Sequence, residues 1–207
     1  MPTRVKICGI TRVQDGAAAG QLGAHAVGLM FYEKSPRFVS LETAREVIAA
    51  LPPFVARVGV FVNPDEAQVR AVLDALRLDF LQFHGDEAPE FCRRFGAPYL
   101  KAVRVKKGVD LLQYASRYHE AKGLLLDAHS ESVYGGTGEA FDWRLIPRRL
   151  PLPVILSGGL NVANVAAAIL QVKPWAVDVS SGVESAKGIK DAAKIAAFIK
   201  EARDADV

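Results

Sequence analysis

Cysteine is scarce in this chain, with two residues, Cys8 and Cys92, in 207. Neither has a second Cys or a His nearby at metal-ligand spacing, which argues against a disulfide framework, a redox pair and a metal site. Long apolar runs are missing as well. Those at residues 58–62 and 123–126 fall far short of the roughly 20 needed to cross a bilayer, and the N-terminus lacks the apolar core of a secretory signal. A soluble, cytoplasmic protein with no membrane partner is expected. Charge of one sign is also lacking, since 26 Lys and Arg against 23 Asp and Glu leave a net +3. Basic residues are scattered, with doublets only at Lys106-Lys107 and Arg148-Arg149. That balance excludes a strong nucleic-acid footprint and suits a small anionic ligand. Nothing reads as a linker, and half the residues are apolar, so one domain over residues 1–207 is expected.

What is present is periodicity. Ala44/Val47/Ile48/Leu51, Val69/Val72/Leu73/Leu76, Ala88/Phe91/Cys92/Phe95, Val162/Val165/Ala166/Ile169 and Ala192/Ile195/Ala196/Ile199 repeat at i, i+3, i+4, i+7, the apolar face of a surface helix. Cys92 falls on one such face and reads as core filler. Asn63-Pro64-Asp65-Glu66 reads as a helix start, with Asn63 as the cap and Pro64 as the first helical residue. Ser40, Asp142 and Asn161 are further candidate caps. Between the helices lie short apolar runs at 5–8, 26–30, 57–62, 80–83, 99–103, 123–127, 154–157 and 176–179. Continuous hydrophobicity suits parallel strands covered on both faces. Eight of them alternating with helices predict an α/β fold, a (β/α)8 barrel with short loops rather than an open sheet.

A barrel of this kind keeps its chemistry at the C-terminal ends of its strands. The first strand ends Lys6-Ile7-Cys8-Gly9, with Lys6 and Cys8 on one face. A free Cys is commonly buried filler, but a thiol at a strand end before glycine is placed to move a proton. Arg37 follows the second strand and is either a solvated side chain or a planar fork for a carboxylate. His84 ends the fourth strand, where it either meets a substrate or satisfies a loop carbonyl. Asp127 ends the sixth, either as a cap of the next turn or as an acid facing a base across the mouth. Residues 129–139 after it are polar and glycine-rich, the composition of a loop that closes over a ligand. Gly158-Gly159 and Ser180-Ser181-Gly182 follow the last two strands, where such barrels commonly hold a phosphate. Asp178, inside the eighth strand, is expected to pair with Lys6, since an unpaired buried charge is costly.

Taken in order, Lys-Ile-Cys-Gly-Ile-Thr (6–11), Ser-Pro-Arg (35–37), Gly-Val-Phe-Val-Asn (59–63), Gln-Phe-His-Gly (82–85), Gly-Gly-Thr-Gly (135–138), Phe-Asp-Trp (141–143), Ser-Gly-Gly-Leu (157–160) and Asp-Val-Ser-Ser-Gly-Val-Glu (178–184) closely resemble the phosphoribosylanthranilate isomerases of tryptophan biosynthesis. Phe83 stands where that family more often has Leu. The resemblance implies a cofactor-free, metal-free Amadori rearrangement of N-(5'-phosphoribosyl)anthranilate, an aldose-to-ketose shift on a substrate with phosphate and carboxylate groups. It makes Cys8 the general base and Asp127 the general acid, puts Arg37 on the anthranilate carboxylate and His84 near the site, and puts Gly158, Gly159, Ser180, Ser181 and Gly182 on the phosphate. Lys6 and Asp178 are supporting residues, with Lys6 expected to favour the Cys8 thiolate. The histidine-pathway isomerases resemble this chain less, because they typically carry Asp at the end of the first strand and handle two phosphates. A ligand-binding barrel without chemistry would be expected to lack Cys8 or Asp127. A monomer or a homodimer is compatible with the sequence, and Phe54 and Trp175 read either as dimer contacts or as closure of the barrel bottom.

Overall fold

The computed structural model describes residues 2–128 and 142–206. Its apolar runs become β1 (Arg4–Cys8), β2 (Ala26–Met30), β3 (Ala56–Phe61), β4 (Phe80–Phe83), β5 (Tyr99–Val105), β6 (Gly123–Ala128), β7 (Val154–Leu156) and β8 (Ala176–Val179). All pair parallel with their neighbours in chain order, and β8 returns to β1 to close the barrel. The expected strands are all present, with no end displaced by more than two residues. Around them lie α1 (Val13–Gln21), α2 (Leu41–Ala49), α3 (Glu66–Ala75), α4 (Pro89–Arg93), α5 (Leu111–Arg117), α6 (Val165–Val172) and α7 (Ala192–Asp204). Among the described residues, the only helical piece between β6 and β7 is a 3₁₀ turn, Trp143–Leu145. A hairpin of β9 (Glu184–Ala186) and β10 (Ile189–Lys190) interrupts the connection from β8 to α7. The expected closing loop at 129–139 lies outside the described residues.

Register decides which residues face inward, since partners across parallel strands share a face. Lys6 pairs with Ala26 and Asp178, and Cys8 with Gly28. Val60 pairs with Gln82, Gln82 with Leu100, and Arg104 with Asp127. Alternate residues, Ile7, Val27, Leu29, Leu81, Phe83, Leu124, Leu126 and Val177, point outward and are buried beneath the helices. Each of these side chains contributes roughly 1.5–3 kcal/mol when taken from water. Phe83 sits among Phe61, Phe91, Phe95 and Tyr99 with ring centroids 5.8–6.1 Å away, so the larger ring is accommodated on the helix side, away from the barrel interior. Cys92 is fully buried, as its helical position required.

Two expected caps are corrected. Asn63 has φ 45°, incompatible with the extended backbone of a cap, and its Oδ1 accepts from Asp86 N. The cap of α3 is Asp65, which accepts from Gln68 N at 2.7 Å, and Pro64 precedes the helix. Asn161 belongs to a turn whose Oδ1 accepts from Ala163 N, and α6 begins only at Val165. Its apolar face is accordingly Val165, Ala168 and Ile169, with Val162 outside the helix. Ser40 caps α2 as expected, and Asp142 caps the 3₁₀ turn. Phe54 stands fully exposed with φ 69° and closes nothing, whereas Trp175 lies under Arg4, 3.9 Å from its guanidinium carbon.

Candidate active site

The strand ends bring Cys8, Lys6 and Asp178 together inside the mouth. Lys6 Nζ donates to Asp178 Oδ1 at 2.8 Å with both side chains 5% exposed, and Ser157 Oγ donates to Asp178 Oδ2 at 3.3 Å. Gly28 makes this possible, because a Cβ there would stand 2.7 Å from Cys8 Sγ and 3.2 Å from Lys6 Nζ. Burial pushes the Cys8 thiol up; the Lys6 charge pulls it down, and Asp178 opposes Lys6. The net direction is upward because burial, the largest contribution, outweighs Lys6; Lys6 favours the thiolate as expected, with Asp178 offsetting part of its pull. Lys6 itself is penalised by burial but held at about 12 by the charges of Asp178 and Cys8 and its hydrogen bonds to them.

Arg37 reaches the same place from the β2–α2 loop. A Cβ on Gly9 (φ 73°) would lie 2.5 Å from Arg37 Cδ and 3.1 Å from Ser180 Oγ, so this glycine lets the backbone after Cys8 pass beneath both side chains. Arg37 Nε and Nη2 donate to Glu184 Oε1 and Oε2 at 2.7 and 2.8 Å. Arg37 is thus buried rather than solvated, and two of its nitrogens are engaged by Glu184. Nη1 makes no bond to a described residue. Lys190 Nζ reaches Glu184 Oε1 at 2.8 Å, and also Ser180 O and Oγ at 3.1 and 3.3 Å. Burial raises the Glu184 pKa, but the hydrogen bonds from Arg37 and Lys190 outweigh it and the net direction is down. Burial lowers that of Lys190.

Across the mouth, His84 Nε2 meets Asp127 Oδ2 at 2.9 Å, and Ala128 N donates to Oδ1 at 2.9 Å. His84 Nδ1 lies 2.9 Å from Gln82 Nε2. The His84 ring thus meets two side chains, Asp127 and Gln82, rather than a loop carbonyl. Behind the strand, buried Lys101 donates to the carbonyls of Phe83 and Gly85 and to Glu87 Oε2. Glu87 Oε1 accepts from Gly85 N and Asn63 N. These bonds grip the backbone on both sides of His84.

The last two strands end in a small cavity of about 30 Å³ lined by Gly158, Gly159, Ser180 and Ser181, with Asp127 and Asp178 at its side. Gly158 (φ 83°) and Gly159 (φ 67°) turn the chain in the left-handed region, where other residues are strained. A Cβ on Gly158 would also crowd Ala128 N and stand 2.8 Å from Asp127 Oδ1. The Gly159 carbonyl is drawn back by Asn164 Nδ2 at 2.9 Å and Asn161 Nδ2 at 3.3 Å. Ser181–Val183 form a 3₁₀ turn, and a Cβ on Gly182 would strike the Leu160 carbonyl.

A sequence model of N-(5'-phosphoribosyl)anthranilate isomerases matches residues 5–201. The chain belongs to this family. It is 61% identical over 97% of its length to the phosphoribosylanthranilate isomerase of Nitrosospira multiformis, covering 96% of that protein. To the isomerase of Azotobacter vinelandii it is 57% identical, covering 98% of each chain. The crystal structure of the Thermotoga maritima enzyme superposes with TM-score 0.89 at 44% identity, over 98% of this chain and 99% of that one. A phosphoribosylanthranilate isomerase structure in complex with reduced 1-(o-carboxyphenylamino)-1-deoxyribulose 5-phosphate matches with TM-score 0.83 at 41% identity, again over 98% and 99%. This isomerase is therefore an enzyme whose expected site residues, from Lys6 to Gly182, all gather at one end of the barrel. Sequence reasoning missed Gln82, Lys101 and Lys190, and quoted Glu184 without a role. A Lys or Gln within an otherwise apolar strand was the available signal for the first two.

Proposed function

We propose that this isomerase converts N-(5'-phosphoribosyl)anthranilate to 1-(2-carboxyphenylamino)-1-deoxyribulose 5-phosphate in tryptophan biosynthesis, in the cytoplasm and without a cofactor. The observation that carries the reading is the placement of a thiol and a carboxyl, Cys8 and Asp127, at inward positions on β1 and β6, which only β7 and β8 separate along the ring. The phosphate is held by N–H groups of Gly158, Gly159 and Ser180 to Gly182, which fixes the ribose between the two groups. Arg37 meets the anthranilate carboxylate through Nη1, while Glu184, itself bonded by Lys190, holds the rest of its guanidinium.

Asp127 gives its proton to the ribose ring oxygen. The C1'–O bond breaks, and the nitrogen lone pair forms the C1'=N bond of a Schiff base. Cys8 then takes the C2' proton; the C2'–H electrons form C1'=C2', and the C=N electrons return to nitrogen. Tautomerisation of the resulting enolamine gives the ketose. Each proton transfer contributes roughly 10²- to 10⁴-fold. Burial raises the Cys8 thiol, and Cys8 must release its proton before it can act as the base. The fluorescence of phosphoribosylanthranilate generated in situ tests the assignment. Its loss with enzyme supports the reading, and its persistence overturns it.

A further inference from the structure

Gln82 is wholly buried inside the barrel, and its neighbours on the inward face are Val60 on β3 and Leu100 on β5. An amide in this apolar layer is unfavourable unless both ends are bonded. Its Nε2 lies 2.9 Å from His84 Nδ1, yet Oε1 meets no donor among the described residues. Turning the amide by half a turn only exchanges which end is orphaned. What the turn changes is the contact with His84: the NH₂ donates to a bare Nδ1, whereas the oxygen accepts from Nδ1–H.

Those two contacts belong to different proton counts on the His84–Asp127 pair. With Gln82 donating, the imidazole carries one proton, on Nε2, and gives it to Asp127 Oδ2 as a hydrogen bond. Ala128 N fills Oδ1, so Asp127 is a carboxylate with no proton to deliver. With Gln82 accepting, Nδ1 keeps a proton and the bridge between Nε2 and Oδ2 holds a second. We propose that Gln82 is a positioning residue for the acid step, its amide turning from donor to acceptor against His84 Nδ1 to keep that second proton on the pair.

Loading takes one proton from water at Nδ1 as the amide turns, and the Nε2 proton shifts to Oδ2. Discharge breaks the Oδ2–H bond and forms an O–H bond at the substrate oxygen, and a further proton from water refills the bridge. The charged groups around this segment include Asp127 on β6, its register partner Arg104 on β5, which bonds Asp86, and the Lys101–Glu87 pair, which bonds the backbone flanking His84. That pair is common to both amide orientations and selects neither.

The inference rests on Asp127 as the acid, and the test separates the two. Gln82→Glu offers a carboxylate of equal length that only accepts when ionised, and Gln82→Met fills the space with neither donor nor acceptor. Gln82→Glu is expected to move the alkaline limb of kcat/KM to higher pH. Gln82→Met is expected to move it to lower pH and to reduce kcat roughly tenfold, with KM changed less than about twofold. Independently of turnover, the ¹⁵N signals of the His84 ring should show Nδ1 bare at alkaline pH in wild type and protonated in Gln82→Glu. A protonated Nδ1 in alkaline wild type, or variants that lose stability with limb and signals unmoved, would overturn the proposal. Full turnover by Asp127→Asn would instead remove the acid assignment, with the nitrogen signals still deciding whether Gln82 controls His84.

Discussion

Asp178→Asn is the most informative single perturbation of the barrel mouth, because stability and chemistry should respond separately. The Lys6–Asp178 pair is 2.8 Å long with each side chain 5% exposed, so it belongs with buried pairs, whose breaking by loss of one partner costs about 3–5 kcal/mol. For a chain of this size each kcal/mol shifts Tm by roughly 2–4 °C, giving a loss of roughly 6–20 °C. The pair also fixes a pH window. Lys6 is raised from 10.5 to about 12 in the fold, so its stabilisation is complete below about pH 10.5 and fades as pH rises through about 12. In Asp178→Asn burial lowers Lys6 without that partner to raise it, so the alkaline loss should shrink or vanish.

The thiol should move as well. Asp178 is one of the groups that raise Cys8, whereas Lys6 lowers it. Removing the carboxylate leaves the ammonium unopposed, so the thiolate should form at lower pH than in wild type, and the acid limb of kcat/KM should move the same way. Thiolate absorbance reads this directly, since the other thiol, Cys92, is pushed up to about 12 by burial and stays silent over the range. Lys6→Met should shift the thiol in the opposite direction. A thiol titration unchanged or displaced upward in Asp178→Asn would refute the electrostatic reasoning, whatever happened to Tm.

Two further outcomes follow from the anchors. Gly158→Ala forces a side chain into a left-handed turn and against Asp127 Oδ1; inhibition by inorganic phosphate should weaken roughly tenfold or more, about 1.4 kcal/mol, in a steady-state competition assay. Glu184 is held below its usual range by Arg37 and Lys190 despite burial, so it stabilises the fold above about pH 4.5 and that contribution is lost as pH falls through its lowered value. Glu184→Gln should flatten the acid side of the stability curve measured by urea unfolding, and should raise KM because Arg37 loses its brace.

Much of this was legible in the residues, for identifiable reasons. Continuous apolar runs and i, i+3, i+4, i+7 spacing report burial, and burial is what a closed barrel imposes on every strand. The Lys6–Asp178 pair was legible because a closed ring makes the first and last strands neighbours. What stayed hidden depends on contacts distant in sequence. Arg37 looked free until Glu184, 147 residues away, was seen to occupy two of its nitrogens. The His84–Asp127 bond joins β4 and β6 across an intervening strand, and no periodicity encodes it. Asn63 misled because a favourable cap residue adopts a left-handed turn when a loop backbone from another strand needs its carbonyl.

The central claim is that Cys8 and Asp127 perform two distinct proton transfers on one sugar. Turnover of phosphoribosylanthranilate by Cys8→Ala, Asp127→Asn and the double variant tests it most directly. Each single variant should lose roughly 10²- to 10⁴-fold in kcat with product-analogue affinity retained. Substrate deuterated at C2' should show its isotope effect vanish when Cys8 is removed. Turnover at the wild-type rate by either single variant, or an undiminished isotope effect in Cys8→Ala, would contradict the account.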